Sequence, residues 1–166
     1  MDMGFVGQRH RQGAKRGDQT GPNPTDRAKS GVKRHILTDG RGVPLAALLS
    51  GANEHDKWFA GKALDAVVMT NKGKPVRPHN LCLDKGYDYF DTETEVRVRG
   101  VWPHIRRRGE SPLLGVVRGK PRRWVVERTN SWHNRFRGLL IRWERKACNY
   151  LGLLHFACGL IAFQQS

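Results

Sequence analysis

The sequence predicts an α/β fold, a mixed sheet flanked by helices, and three observations predict it. Two apolar stretches, 35–39 and 43–51, flank Gly40-Arg41-Gly42, a glycine-containing connection of the hairpin type. Helical and strand-like segments then alternate from residue 58 to residue 105, the pattern of a sheet with helices on its faces. Finally, 122–143 repeats apolar residues at three- and four-residue steps, the period of a buried helical stripe. The 166 residues suit one domain, since domains commonly run to about 100–150 residues.

In chain order, residues 7–34 carry no apolar period and are punctuated by Gly, Pro, Asn and Asp, so they read as loop. Their Lys and Arg form either a solvated tail or a flexible arm against phosphates. This divides the single domain into a basic N-terminal arm, 1–34, and a core, 35–166. The second hairpin arm is almost wholly apolar, which predicts a central strand covered on both faces. Trp58 to Met69 reads as a helix with Phe59, Ala63, Ala66 or Val67, and Val68 inward. Asp56 before it is either its N-cap or, with His55, a ligand for a metal or a phosphate.

Leu81-Cys82-Leu83 runs straight into Asp84-Lys85-Gly86: a short buried strand delivering a carboxylate at its carboxyl end, where open sheets place ligands. An ordinary turn aspartate is the plain alternative. Residues 91–99 read as a short helix and 101–105 as a strand closed by the basic run Arg106-Arg107-Arg108. The organising segment is Arg122 to Trp143, one amphipathic helix with Val125, Thr129, Trp132, Phe136, Leu139 or Leu140, and Trp143 inward. Glu127 lies on its other face with Arg123, Ser131 and Asn134. It is a lone carboxylate among cations and either pairs with Arg123 or Arg128 on the helix surface or serves a site. Tyr150 to Phe163 is apolar nearly all round and is expected in the core, with His155 a satisfied core histidine.

Charge sharpens the reading. The chain carries 30 Lys and Arg against 15 Asp and Glu, a net +15, and such an excess calls for a polyanion. The distribution is uneven: 8 basic against 3 acidic residues in 1–36, 7 against 9 in 37–96, and 15 against 3 in 97–166. A simple polyanion binder has little use for an acidic centre. An enzyme that holds metal ions beside a nucleic acid needs carboxylates inside and cations around them. Cys82, Cys148 and Cys158 are odd in number and far apart, which points to neither zinc nor a disulfide framework. No signal peptide opens the chain and the last helix is short for a bilayer needing about 20 residues. A cytoplasmic, nucleoid-associated protein with no membrane partner is expected.

Two acids therefore stand out, Asp84 and Glu127. A two-metal site needs a third hard oxygen ligand from an adjacent strand; Asp2, Asp39 and Asp56 are the candidates. At this point four ordered blocks, GPNPTDRAKSGVKRHILTDGRGVPLAALLSGANEHD, LCLDKGYD, HIRRRGE and RRWVVERTNSWHNRFRGLLIRWE, are similar to the DDE transposases of bacterial insertion sequences, nearest the insertion-sequence-five branch. The resemblance implies an RNase H-like fold and Mg²⁺-dependent cleavage and joining of DNA ends by an Asp-Asp-Glu triad. Two Mg²⁺ ions are implied, with Mn²⁺ as a substitute. The triad carries over to Asp84 and Glu127, and by position to Asp2, all three also metal ligands. Lys85, Arg106, Arg107, Arg108, Arg122, Arg123, Arg128 and Arg135 would contact DNA phosphates.

The resemblance further implies a catalytic-domain portion lacking the N-terminal region, with the first strand largely missing. Its partners would be insertion-sequence ends and target DNA, a second copy of the chain on DNA, and an upstream-frame polypeptide. A truncated, non-catalytic DNA-binding remnant is the alternative. Around Glu127 no Tyr precedes at the family's spacing, and Asn134 stands where a cation is common, which bears on end recognition rather than on Glu127.

Overall fold

The computed structural model describes residues 3–12, 17–24, 27–71, 74–105, 107 and 123–165. In chain order the strands are β1 (Met3–Gln12), β2 (Gly21–Pro22), β3 (Ser30–Thr38), β4 (Pro44–Gly51), β5 (Thr70–Asn71), β6 (Lys74–Pro75), β7 (Asn80–Leu83) and β8 (Trp102–Ile105). The helices are α1 (Ala60–Asp65), α2 (Phe90–Val98), α3 (Arg123–His133), α4 (Arg137–Leu140) and α5 (Ala147–Gln165), with 3₁₀ turns at Asp56–Phe59 and Lys85–Tyr87.

Sequence patterning misses the central element. β1 pairs antiparallel with β3 from Phe5↔Thr38 to Gln12↔Gly31 and parallel with β7 from Met3↔Asn80 to Phe5↔Cys82. A first strand is therefore present, and the segment read as loop and arm holds most of β1 and the start of β3. The residues after Gly7 in β1 are mostly polar, so they show no apolar period. It is pairing with β3 that makes them a strand, as tertiary context overrides local preference.

β4 pairs antiparallel with β3, and β8 pairs parallel with β7. The main order is thus β4-β3-β1-β7-β8, with β2 beside the start of β3. β4 is covered on both faces as expected, but it is an edge rather than a central strand. An apolar run reports what covers a strand's faces, not how many neighbours it has.

Successive residues of β3 point to opposite faces, and they divide the core. Leu37 joins Val6, Leu64, Leu81, Leu83 and Val96 beneath α1 and α2. Ile36 and Val32 join Ala47, Leu49, Leu139, Tyr150, Leu154 and Ala157 beneath α4 and α5. Burying each such large side chain is worth about 1.5–3 kcal/mol.

The long helix expected over 122–143 is broken. α3 ends at His133 in a tightened turn, with the Arg135 amide bonded to the Trp132 carbonyl and that of Phe136 to His133. Phe136 then takes an extended backbone before α4. The break turns Phe136 and Leu139 onto α5, where the Tyr150 hydroxyl donates to the Leu139 carbonyl at 3.0 Å. Trp143, expected inside, is 76% exposed, while Trp132 is half-buried. The helix expected over 58–69 is also shorter, and Val68 lies outside.

α5 extends to 19 residues, long and apolar enough by length and composition alone to cross a membrane. It nonetheless buries Tyr150, Leu154, Ala157 and Ile161, and leaves Leu153, Phe156, Leu160 and Phe163 outside. The His155 ring reaches the Ala47 carbonyl at 3.0 Å, so it is satisfied, although the residue is exposed. Arg142 is buried, and its guanidinium donates to the carbonyls of Asp18, Glu144 and Arg145 at 2.7, 2.8 and 3.1 Å. The Asp18 amide returns a bond to Arg145, joining the segment before β2 to the approach to α5.

Polar groups lie inside under α3. Thr129 donates to the Gly42 carbonyl at 2.6 Å. His133 is fully buried with its Nε2 3.3 Å from Cys158 Sγ. Burial, then the charge of buried Arg34, holds the His133 imidazole down at about 4. Burial pushes the Cys158 thiol up to about 12. All three cysteines are free thiols.

Candidate active site

Asp84 stands at the carboxyl end of β7. Its backbone is extended, and its Oδ1 accepts the Gly86 amide at 2.8 Å, so the side chain caps the 3₁₀ turn Lys85–Tyr87. Alternation along β7 puts Leu81 and Leu83 under α2 and Cys82 toward α3. Cys82 packs on Val125 and Val126 of α3. Glu127, the next residue of α3, is exposed. Of the two acids singled out by sequence, Asp84 thus stands at the end of β7 with its carboxylate turned onto the Gly86 amide, and Glu127 lies exposed on the helix that packs on Cys82 of that strand.

Close approach of α3 is permitted by Gly7. A Cβ there would lie 2.2 Å from Val126 Cγ1, so a larger residue would displace the Val126 side chain or the helix that carries it. Continuing the register of Phe5↔Cys82 along these parallel strands sets Gly7 level with Asp84. Asp2 lies outside the described residues; its neighbour Met3 pairs with Asn80, four residues before Asp84.

On the other side of Asp84 stands Asp56, which is not the N-cap of its turn. His55 takes that role, accepting the Lys57 amide on Nδ1 at 3.3 Å. Asp56 Oδ1 instead receives the Lys33 ammonium at 2.9 Å, with both side chains nearly buried. Lys33 also donates to the Glu54 carbonyl. The second oxygen of Asp56 faces the Asp84 turn: a Cβ placed on Gly86 would lie 2.9 Å from Asp84 Oδ1 and 3.7 Å from Asp56 Oδ2. Tyr87 is fully buried, and its hydroxyl has no hydrogen-bond partner among the described residues. Burial first, then the Asp56 and Asp84 charges, raises it well above its ordinary range. Asp39, the third candidate, caps the hairpin turn by accepting the Arg41 and Val43 amides, each at 2.8 Å.

The cations divide as well. Lys85 directly follows Asp84 and is exposed. Arg107 is exposed just past β8, whose Ile105 pairs with Leu83, so it leaves the sheet at the same rim. Arg135 is exposed in the turn after α3. Arg128 is engaged elsewhere: its guanidinium lies 4.6 and 5.0 Å from the Trp124 and Trp132 ring centroids and donates to the Arg41 carbonyl. Arg123 begins α3, and Arg106, Arg108 and Arg122 lie outside the described residues.

Sequence reasoning missed Lys33 and Tyr87. Lys33 falls within the stretch read as loop; only its place in β3 shows it buried, and a buried cation requires an anion beside it.

These residues suit a hard divalent cation in part. Mg²⁺ takes oxygen ligands and is often held by only one or two carboxylates, with water and substrate phosphates completing its shell. The Gly86 turn brings the carboxylates of Asp84 and Asp56 near one another. Among the described residues no three His, Cys, Asp or Glu come together as a metal-holding group.

A sheet of order β4-β3-β1-β7-β8, with its first three strands antiparallel and the last two parallel to β1, is the RNase H-like architecture. Its acid-bearing strand end lies beside the first strand. The chain belongs to the Transposase DDE domain family, which matches residues 4–159. It is 43% identical over 148 residues to a Burkholderia cepacia protein named as a transposase for insertion sequence element IS402, covering 87% of this chain and 69% of that protein. Among solved structures it is similar to the catalytic core domain of BIV integrase, at TM-score 0.46 and 12% identity over 96% of this chain and 80% of that one. It is also similar to piggyBac transposase in a synaptic complex with hairpin DNA, at TM-score 0.44 and 10% identity over 73% of this chain and 27% of that one. At such identities the fold assignment rests on the sheet order itself.

Proposed function

We propose that this chain is the catalytic part of an insertion-sequence transposase that cleaves element ends and joins them to target DNA. The observation that supports the reading is Asp84, a carboxylate at the end of the strand beside β1, the strand on whose Cys82 the helix bearing Glu127 packs. Asp84 and Glu127 would hold the divalent cation, with Asp2 in the role the family gives the first acid. A bound divalent cation activates water or a 3′-hydroxyl and offsets charge on the phosphate. Lys85, Arg107 and Arg135 are exposed and would grip the DNA backbone, positioning it without reading its sequence. Synapsis of two ends would bring a second copy of the chain.

A DNA-binding chain without catalysis is the second reading. What favours it is Gly7, a residue with no side chain, where β1 runs level with Asp84.

Nicking of a supercoiled plasmid carrying element ends, with Mg²⁺ or Mn²⁺, separates the two. Wild type should nick, and Asp84→Asn and Glu127→Gln should lose activity by about 10³-fold or more, the scale of a lost catalytic electrostatic contact. Equal nicking by all three would end the enzymatic reading. Retarded DNA without nicking by any would support the binder.

A further inference from the structure

We propose that the aromatic cluster of His55, Trp58 and Tyr89, next to Asp84, is a stacking site for an unpaired base of the DNA strand. This rests on the DNA-processing reading above and names the part of the strand taken up beside the carboxylate. The rings come from two adjoining elements: the turn Asp56–Phe59 with its cap His55, and the residues just after the turn Lys85–Tyr87. These turns meet at Asp84, since a Cβ on Gly86 would lie 2.9 Å from Asp84 Oδ1 and 3.7 Å from Asp56 Oδ2. His55 is held by two bonds. Its Nδ1 accepts the Lys57 amide, which leaves Nε2 to donate to the Tyr89 hydroxyl oxygen at 3.0 Å. The Tyr89 ring stands edge-on to the imidazole with centroids 5.0 Å apart, and the Trp58 ring is tilted against it at 6.4 Å. Packing does not account for Trp58: its neighbour Phe59 is buried and stacked on His35 at 4.1 Å, whereas Trp58 is 54% exposed. Phe90, next to Tyr89, is 86% exposed. Single aromatics on a surface are ordinary. A group whose members already order one another loses little freedom when a ligand arrives. Lys85, between Asp84 and Tyr89 in the chain, is exposed, and Lys57 lies 4.9 Å over the Tyr89 ring while pairing with Asp91 at the cluster's edge. Rings flanked by cations suit a base and its phosphate together. Inside a duplex each base is covered by its neighbours, so only an unpaired one reaches the rings.

The test is DNA binding by the whole chain in EDTA, read by fluorescence anisotropy. Two labelled duplexes are compared, one with a short thymine overhang and one whose overhang has the same length but abasic sugars. Both carry the same phosphates, so only the bases differ. Wild type should bind the thymine overhang at least about fivefold more tightly, the lower end of what stacking one base on an aromatic is worth. Trp58→Ala should lose that preference while binding the abasic duplex as wild type does. Trp58→Phe, which restores a ring, should regain part of it. Thermal unfolding checks that both variants are folded. An undiminished preference in Trp58→Ala would overturn the stacking site, as would equal weakening of both duplexes by that variant. So would the absence of any preference in wild type; if wild type nicks plasmid but Asp84→Asn does not, the proposed function then still stands. The converse result, a ring-dependent preference with equal nicking by wild type and Asp84→Asn, would support the stacking site and end the enzymatic reading.

Discussion

The face of the sheet under α1 and α2 and the face under α3 to α5 start from similar apolar strands but are closed differently. The first is filled by Val6, Leu37, Leu64, Leu81, Leu83 and Val96, and its charged groups gather at the rim as the Lys33–Asp56 pair. The second is apolar under α5 but polar under α3, where Arg34, Thr129, Asn130 and His133 are buried. It also contains Gly7 and Cys82, small residues that let α3 come close. One face supplies cohesion. The other sets the height and tilt of a helix whose outer side carries Glu127, at the expense of burying groups that water would solvate better.

Ways to break this contrast can be ranked by size. Leu81→Ala, in the dry face, should cost about 3 kcal/mol as a core truncation, measured by urea unfolding. Acid should act through the other face. The fold favours neutral His133, held at about 4 against an ordinary 6.5, so the unfolded chain takes up the proton first. Stability should therefore decline as pH falls from 6.5 to about 4, by up to ~3 kcal/mol, and level off below. His133→Leu should flatten that limb of the urea-midpoint profile.

Gly7→Ala puts a methyl group against Val126 and should cost about 2 kcal/mol by overpacking, with partial recovery when Val126→Ala is added. Recovery would show that contact between strand and helix, rather than loss of a glycine, is responsible. At the small end is Asp65, whose carboxyl is held below its ordinary range by hydrogen bonding to Arg99, 2.6 Å away at the closest. The pair is partly solvated, so Asp65→Asn should cost under ~1 kcal/mol.

Where local chemistry decides structure, the sequence was legible. The β3–β4 hairpin follows from its glycine-containing turn, and Asp84 from an apolar run ending in Asp-Lys-Gly. β1 was not legible, because strand pairing with distant residues, not an apolar period, makes it a strand. Nor was the break after His133: Trp132 and Phe136 continue the helical period, and only the position of α5 shows that Phe136 and Leu139 must turn toward it. The Lys33–Asp56 pair spans 23 positions, and spacing alone gives no hint of it. Trp143 shows the reverse error, an aromatic at the right interval that ends exposed because the helix beneath it has stopped.

Arg142 ties the turn around Asp18 to the chain entering α5 through three carbonyls, and the Asp18 amide completes the knot. Neither strand of that knot can fray alone without leaving a buried guanidinium unsolvated. Local opening should therefore be shared: the Asp18 amide and the first turns of α5 are expected to exchange hydrogen for deuterium as one cooperative unit, far apart in the chain yet released together.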